Sequence, residues 1–208
     1  MSRCVILSAG PVEDPEALRP LLRDDDWFIA ADGGMRLAER LGVTPGLIVA
    51  DFDSGEAPRE TRAEVLRLPA EKDWTDTMAA AMAGLERGFR DFLLLGCTGG
   101  RLDHTIDNLA VMLYIHRQGG TPMMADERNR VFLYAPSSFT IPPQKGWKLS
   151  LFPYGGEVRG VTLRDVRYLL TDATLTTDNP VGVSNEFLDC PARISFQEGI
   201  LLLLFSKD

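Results

Sequence analysis

Apolar and polar positions follow two different rhythms along this chain. Up to about residue 120, short apolar runs take turns with segments of helical period. "CVILSAG" predicts a strand, with an amphipathic helix around "DPEALRPLL" behind it. "WFIAADGG" and "LIVADFDS" predict further strands, separated by the helix "MRLAERLG", and a helical "PRETRAEVLRL" follows. "TDTMAAAMAGLERG" has a helical pattern, "DFLLLGC" a strand pattern, and "DHTIDNLAVMLYIHRQGG" reads as a long helix ending at a glycine pair. Strand alternating with helix implies parallel pairing, with helices covering both faces of the sheet.

Beyond about residue 120 the runs shorten. "RVFLYA", "SFTI", "KLSLFPY", "VRGVTL", "YLLTDATLT", "ARISF" and "ILLLLFS" are separated by Gly, Pro, Asn and Asp. This spacing predicts a small antiparallel sandwich or barrel. The change of texture places a domain boundary between residues 119 and 136.

Composition changes this picture only a little. With 208 residues, 45% hydrophobic and 25% charged, the chain has ordinary globular composition. A net charge of −8 argues against wholesale binding to nucleic acid or anionic membranes, although a metal can still bring in a small phosphorylated ligand. The three cysteines, Cys4, Cys97 and Cys190, form no CxxC pair and suggest neither a disulfide framework nor a zinc site. The apolar run in "MSRCVILSAG" is too short for a signal peptide, and no stretch approaches ~20 apolar residues, so a cytoplasmic protein is expected.

The chemistry concentrates at the ends of the predicted strands. In "IVADFDS", Asp51 and Asp53 share one strand face at roughly 6 to 7 Å. Like charges at that range repel unless a positive group lies between them. One of Asp51, Asp53 or Ser54 would suffice to cap a following helix, which leaves the second carboxylate unexplained. Hard oxygen ligands on one face suit Mg2+, which prefers one or two carboxylates together with phosphate oxygens and water.

Three other turns end near the same sheet edge, where open parallel sheets bind ligands. "GCTGGRLDH" offers glycines that let backbone approach a ligand, N–H groups at a helix start, and the Arg101 fork for phosphate oxygens. Asp103 reads there as a helix cap, with Asp107 one turn further on the same face. In "EKDWTD", Thr75 and Asp76 are ordinary caps when taken alone. Glu71, Asp73 and Asp76 together gain weight if they face Asp51 and Asp53. "ADGG" is either a strand-ending turn, with Asp32 buried or capping, or part of the site. His104 reads as a half-buried histidine, and His116 as a complement to its helix dipole.

Four blocks in order carry a family resemblance: "ADGGMRLAERLGVTPGLIVADFDS", "EKDWTDTMAAAM", "TGGRLDHTIDNLAVM" and "GVSNEF". Over Ala31 to Phe187 they resemble the signature of thiamine pyrophosphokinases. The resemblance implies a mostly parallel, doubly wound, Rossmann-like α/β domain over 1–125, binding nucleotide and metal. It implies a C-terminal antiparallel β-sandwich over 136–208 that binds thiamine and dimerises. The implied reaction moves the β,γ-pyrophosphoryl unit of ATP onto the hydroxyethyl group of thiamine, giving thiamine diphosphate and AMP in a homodimer with shared sites. Asp51, Asp53 and Asp76 are then the Mg2+ carboxylates. Asp32, Gly33, Gly34, Ser54, Lys72, Thr75, Gly99, Gly100, Arg101 and His104 are expected ATP contacts. Asp73 or Asp103 orients or deprotonates the attacking hydroxyl, and Asp103, Ser184 and Asn185 are expected against thiamine. Trp147 and Tyr168 are candidates for ring stacking, with core packing the plainer reading of each.

The chain departs from the family at two positions. Asp165 stands where a glycine is frequent, and Lys72 where many members have glutamine. Two other classes fit the same carboxylates: a metal-dependent phosphohydrolase, and a non-catalytic thiamine or nucleotide sensor. The "SNEF" segment speaks against the first, and the intact carboxylates against the second.

Overall fold

The computed structural model describes residues 2–51, 62–69, 73–179 and 181–208. The chain forms two compact units, Met1–Glu127 and Arg128–Asp208.

In the first unit, strands β1 (Cys4–Leu7), β2 (Trp27–Ala31), β3 (Leu47–Ala50), β4 (Glu64–Arg67), β5 (Asp91–Leu95) and β6 (Thr121–Ala125) lie in the order β6-β5-β1-β2-β3-β4. Every pairing is parallel. The four residues of β1 are all buried, as expected of a strand covered on both faces. Val5, Leu7, Leu93 and Leu95 pack beneath helix α1 (Gly34–Leu41) and Leu18. On the opposite face, Cys4 and Phe92 meet Gly84 of helix α2 (Asp76–Glu86). Helix α3 (Leu102–Arg117) buries Val111, Met112 and Ile115. Leu37 and Leu41 anchor α1, and each such burial contributes roughly 1.5–3 kcal/mol.

Three local expectations are corrected. Pro15–Leu21 forms a 3-10 helix, with Pro15 opening it and Pro20 removing a backbone donor inside it. The predicted helix "PRETRAEVLRL" is a strand over Glu64–Arg67, because pairing with β3 outweighs the helix propensity of Glu, Leu and Arg. Thr121–Ala125, unread in the sequence because Pro122 sits inside it, completes the parallel set beside β5.

The second unit holds two antiparallel sheets. β12 (Asn185–Glu186), β9 (Lys148–Pro153), β14 (Leu201–Ser206) and β7 (Asn129–Tyr134) neighbour one another in that order. β11 (Leu170–Leu175), β10 (Val158–Arg164), β13 (Ala192–Ser195) and β8 (Ser138–Ile141) form the other. Leu149, Leu151 and Leu203 from the first join Val161, Leu163 and Ile194 from the second in one core. Seven of these strands coincide with the short apolar runs; β12 alone lies in what the pattern reads as a turn.

Asp165 lies between β10 and β11 with a positive φ of 61°, the conformation a glycine adopts without strain. Aspartate tolerates it better than most residues, and the Arg193 guanidinium holds its carboxylate at 2.5 Å.

Candidate active site

The strand order reverses at β1 and β5, the position where open α/β sheets form a ligand crevice. A cavity of about 270 Å3 opens there. Ser8 to Pro11 after β1, Asp32 after β2, the start of α2, and the Gly96–Arg101 turn into α3 line it.

Close backbone approach shapes its floor. The Gly10 amide donates to the Gly96 carbonyl oxygen at 2.7 Å, and a Cβ on Gly10 would lie 2.4 Å from that oxygen. Gly96, Gly99 and Gly100 all carry positive φ, so the β5 turn can curl without Cβ strain. Asn108, buried on α3, donates through Nδ2 to the Cys97 carbonyl at 2.8 Å and pins the turn to its helix. Ser8 and Thr77 share a buried hydroxyl–hydroxyl bond of 2.9 Å. Burial pushes the Cys97 thiol up to about 12, so it stays protonated at neutral pH.

The two helix starts that face the cavity differ. Thr75 caps α2 by accepting from the Met78 amide at 3.2 Å, and it donates to Asp107 on α3 at 2.8 Å. Its capping role is as expected, and Asp76 follows as the acidic residue of the first turn. The N-cap of α3 is Arg101, with no side-chain cap, rather than the expected Asp103. The His104 amide of that first turn donates to Asp103 Oδ1 at 3.0 Å, while Arg101 itself caps none of the N–H groups, and a helix start of this kind can receive an anion. Arg101 instead pairs with Asp103 at 2.5 and 3.1 Å on an exposed surface. That hydrogen bond lowers the Asp103 carboxyl and raises the guanidinium from their ordinary values.

Among the expected site residues, Asp32, Thr75, Asp76, Gly99, Gly100, Arg101 and His104 line the cavity. Asp32 is exposed with a φ of 48°, neither buried nor capping, and His104 is likewise exposed. Gly33 and Gly34 begin α1 outside the lining, and a Cβ at Gly34 would sit 1.9 Å from the Leu7 carbonyl oxygen. Gly34 therefore lets α1 press against the sheet; a ligand role is not needed to explain it. Asp51 follows β3, half-buried, and Asp73 precedes α2, exposed. Asp53, Ser54 and Lys72, like Glu71, lie outside the described residues. Among the described residues no three His, Cys, Asp or Glu side chains converge as a ready metal cluster. Of the three carboxylates expected to hold Mg2+, Asp51 and Asp76 are described, and their oxygens are of the hard kind that suits it.

In the second unit Ser184 is exposed, with a φ of 57°, and its amide donates to the Ser150 hydroxyl at 3.0 Å. Asn185 is buried and turned inward. Its Oδ1 accepts from the Tyr168 and Glu186 amides at 3.0 and 2.9 Å, and its Nδ2 donates to the Tyr168 carbonyl at 2.6 Å. Trp147 packs on the core beneath Arg130 and Lys207, whereas Tyr168 is 57% exposed, against its core reading. His116 is partly buried, and burial lowers its pKa, so near pH 7 it is largely neutral and gives its helix dipole little charge.

Sequence reasoning passed over Ser8–Pro11, Thr98, Asn108 and Asp126. "SAGP" carries no charge and no helical period, and only its place after a first strand points to it. Asn108 and Asp126 act through partners 11 and 28 residues away, a relation no local pattern contains.

A parallel α/β unit with a cavity at the switch point of its sheet, followed by a unit of two antiparallel sheets, defines an α/β protein with a ligand-sized crevice and a separate β unit. Family models narrow this further. Residues 18–124 match the thiamin pyrophosphokinase catalytic domain, and residues 138–201 the thiamin pyrophosphokinase vitamin B1 binding domain. The chain belongs to the thiamin pyrophosphokinase family. It is 25% identical to the thiamine pyrophosphokinase of Bacillus subtilis over 209 residues, 98% of each chain. The crystal structure of a thiamine pyrophosphokinase from B. subtilis superposes with a TM-score of 0.88 over 100% of both chains at 24% identity. A family protein from Enterococcus faecalis, 30% identical over 100% of both chains, gives 0.81. Among the described residues no helix is long and apolar enough to cross a membrane.

Proposed function

We infer that this chain is a pyrophosphokinase that transfers the β,γ-pyrophosphoryl unit of ATP to thiamine. The observation that carries the reading is the switch-point cavity, which the glycine turn into α3, with Arg101 at its N-cap, lines together with Asp76 at the start of α2. The thiamine hydroxyl oxygen bonds to the β-phosphorus as the bond from that phosphorus to the α–β bridging oxygen breaks, and AMP leaves. With both family domains matched, the phosphohydrolase and sensor readings are not favoured.

Each residue has a task in this scheme. The α3 amides, the Gly99–Gly100 backbone and Arg101 hold phosphate oxygens, by placement and charge neutralisation. Lys72 adds a phosphate contact, and Asp32, Ser54, Thr75 and His104 complete the ATP site. Once the Arg101 guanidinium turns from Asp103 to phosphate, Asp103 orients the thiamine hydroxyl and takes its proton, with Asp73 as the second candidate. Asp51, Asp76 and Asp53 hold a divalent metal, read as Mg2+. When bound, it neutralises phosphate charge. Ser184 contacts thiamine, while Asn185 shapes the turn that carries it.

The α/β unit is read as Rossmann-like and the second unit as a β-sandwich used for thiamine binding and dimerisation. Leu102 and Ile106, 72% and 59% exposed one turn apart on α3, support a homodimer. Three unpaired cysteines fit the cytoplasm. The test is purified protein with ATP, thiamine and Mg2+. AMP and thiamine diphosphate in equal amounts, both abolished by EDTA, support the reading. ATP consumed without thiamine, releasing phosphate, refutes it.

A further inference from the structure

We propose that Thr98 and Asp126 select the nucleoside end of the donor nucleotide: the Thr98 hydroxyl accepts a hydrogen bond from a nucleoside N–H or O–H, and Asp126 fixes that polarity. This rests on ATP occupying the switch-point cavity. Thr98 lines the cavity on the β5 turn. Asp126, the first residue after β6, is 8% exposed, and its Oδ2 accepts from Thr98 Oγ1 at 2.5 Å. A hydroxyl has one proton and two lone pairs. With the proton directed to the carboxylate, the lone pairs alone remain for a ligand.

That polarity sorts the parts of a nucleotide. A phosphate oxygen is itself an acceptor and finds no donor at Thr98, with a carboxylate behind it. A ribose hydroxyl or a base amino group finds the acceptor it needs. The nucleoside therefore lies towards Thr98 and the polyphosphate towards the start of α3. The turn is fixed from its other side as well, because Asn108 holds the Cys97 carbonyl at 2.8 Å. Thr98 is the contact residue, and Asp126 is a positioning residue that acts through it.

The test compares kcat/KM for ATP, 2′-deoxy-ATP, 3′-deoxy-ATP and the purine riboside triphosphate that lacks the amino group. It is run in the wild type, Thr98→Ser, Thr98→Val and Asp126→Asn. Wild type is expected to lose roughly 5- to 30-fold on one analogue, the size of a missing partner for a placed polar group, and that analogue identifies the donor. Thr98→Ser keeps the discrimination and Thr98→Val erases it. Asp126→Asn shrinks it, because an amide can donate to Thr98 and release the hydroxyl proton. A merely structural fault would slow all four nucleotides together and leave the ratios unchanged. Equal use of all four by an active wild type overturns this proposal alone, whether or not any variant folds. So do unchanged ratios in the Thr98→Val or Asp126→Asn proteins. A wild type that makes no thiamine diphosphate from ATP overturns the function reading and this proposal with it.

Discussion

Replacing Gly10 with alanine puts one methyl group where the β1 and β5 turns touch. The added Cβ would lie 2.4 Å from the Gly96 carbonyl oxygen and 2.9 Å from that of Thr98. An ordinary carbon–oxygen contact is about 3.3 Å, so the two turns must separate by about 0.9 Å. Both obstacles are backbone atoms, so no side-chain rotation relieves the clash. Overpacking of this kind costs roughly 1–3 kcal/mol, and weakening the 2.7 Å Gly10–Gly96 hydrogen bond adds about 1 kcal/mol. The lower entropy of an unfolded alanine returns about 0.4–1 kcal/mol. A net loss of about 1–3.5 kcal/mol corresponds to a fall in melting temperature of about 2–14 °C for a chain of this size. The turn that moves also carries the proposed phosphate site, and a displacement near 1 Å can lower turnover roughly 100-fold. Differential scanning calorimetry and steady-state turnover measure the two effects. A melting temperature within about 1 °C of wild type, together with unchanged turnover, would refute the close-packed floor.

Three further outcomes are expected. Asp51→Asn and Asp53→Asn each lower turnover by orders of magnitude with circular dichroism unchanged, and near-normal turnover in both would remove the metal assignment. Hydrogen bonds from Lys148 and Arg167 hold the Glu186 carboxyl down at about 2, so their stabilising effect is complete above its ordinary value of 4.5 and fades as pH falls towards 2. The urea midpoint of wild type minus that of Glu186→Gln is therefore expected to rise between pH 2 and 4.5 and then level off; a difference flat across that window would contradict the pairing. Cys190 is exposed, whereas burial raises the pKa of Cys4 and Cys97, so a thiol reagent at pH 8 labels one cysteine quickly in the native protein and three after denaturation. Rapid labelling of all three in the native state would contradict the buried positions.

The β-rich second unit was almost fully legible, because its strands are short apolar runs bounded by Gly, Pro and Asp. In the first unit β1, β2, β3 and β5 were equally plain, being continuous apolar stretches. The segment Glu64–Arg67 was not, since Glu, Leu and Arg favour helices and only the neighbouring β3 makes them a strand. At the site, charged and glycine-rich turns announced themselves, as at Asp32 and Gly99–Arg101. Ser8 to Pro11 carried no such signal. Asn185 looked like a ligand contact in the motif, yet its amide is bonded to the backbone of Tyr168 and Glu186. Burial and partner choice belong to the folded chain, and no local spacing encodes them.

The central claim is that a two-phosphate unit moves intact, and ATP labelled separately at the β- and γ-phosphorus tests it most directly. Incubated with thiamine and Mg2+, this protein is expected to carry both labels into thiamine diphosphate and leave AMP unlabelled. Only the γ label in the thiamine product, with β-labelled ADP released, would contradict the account.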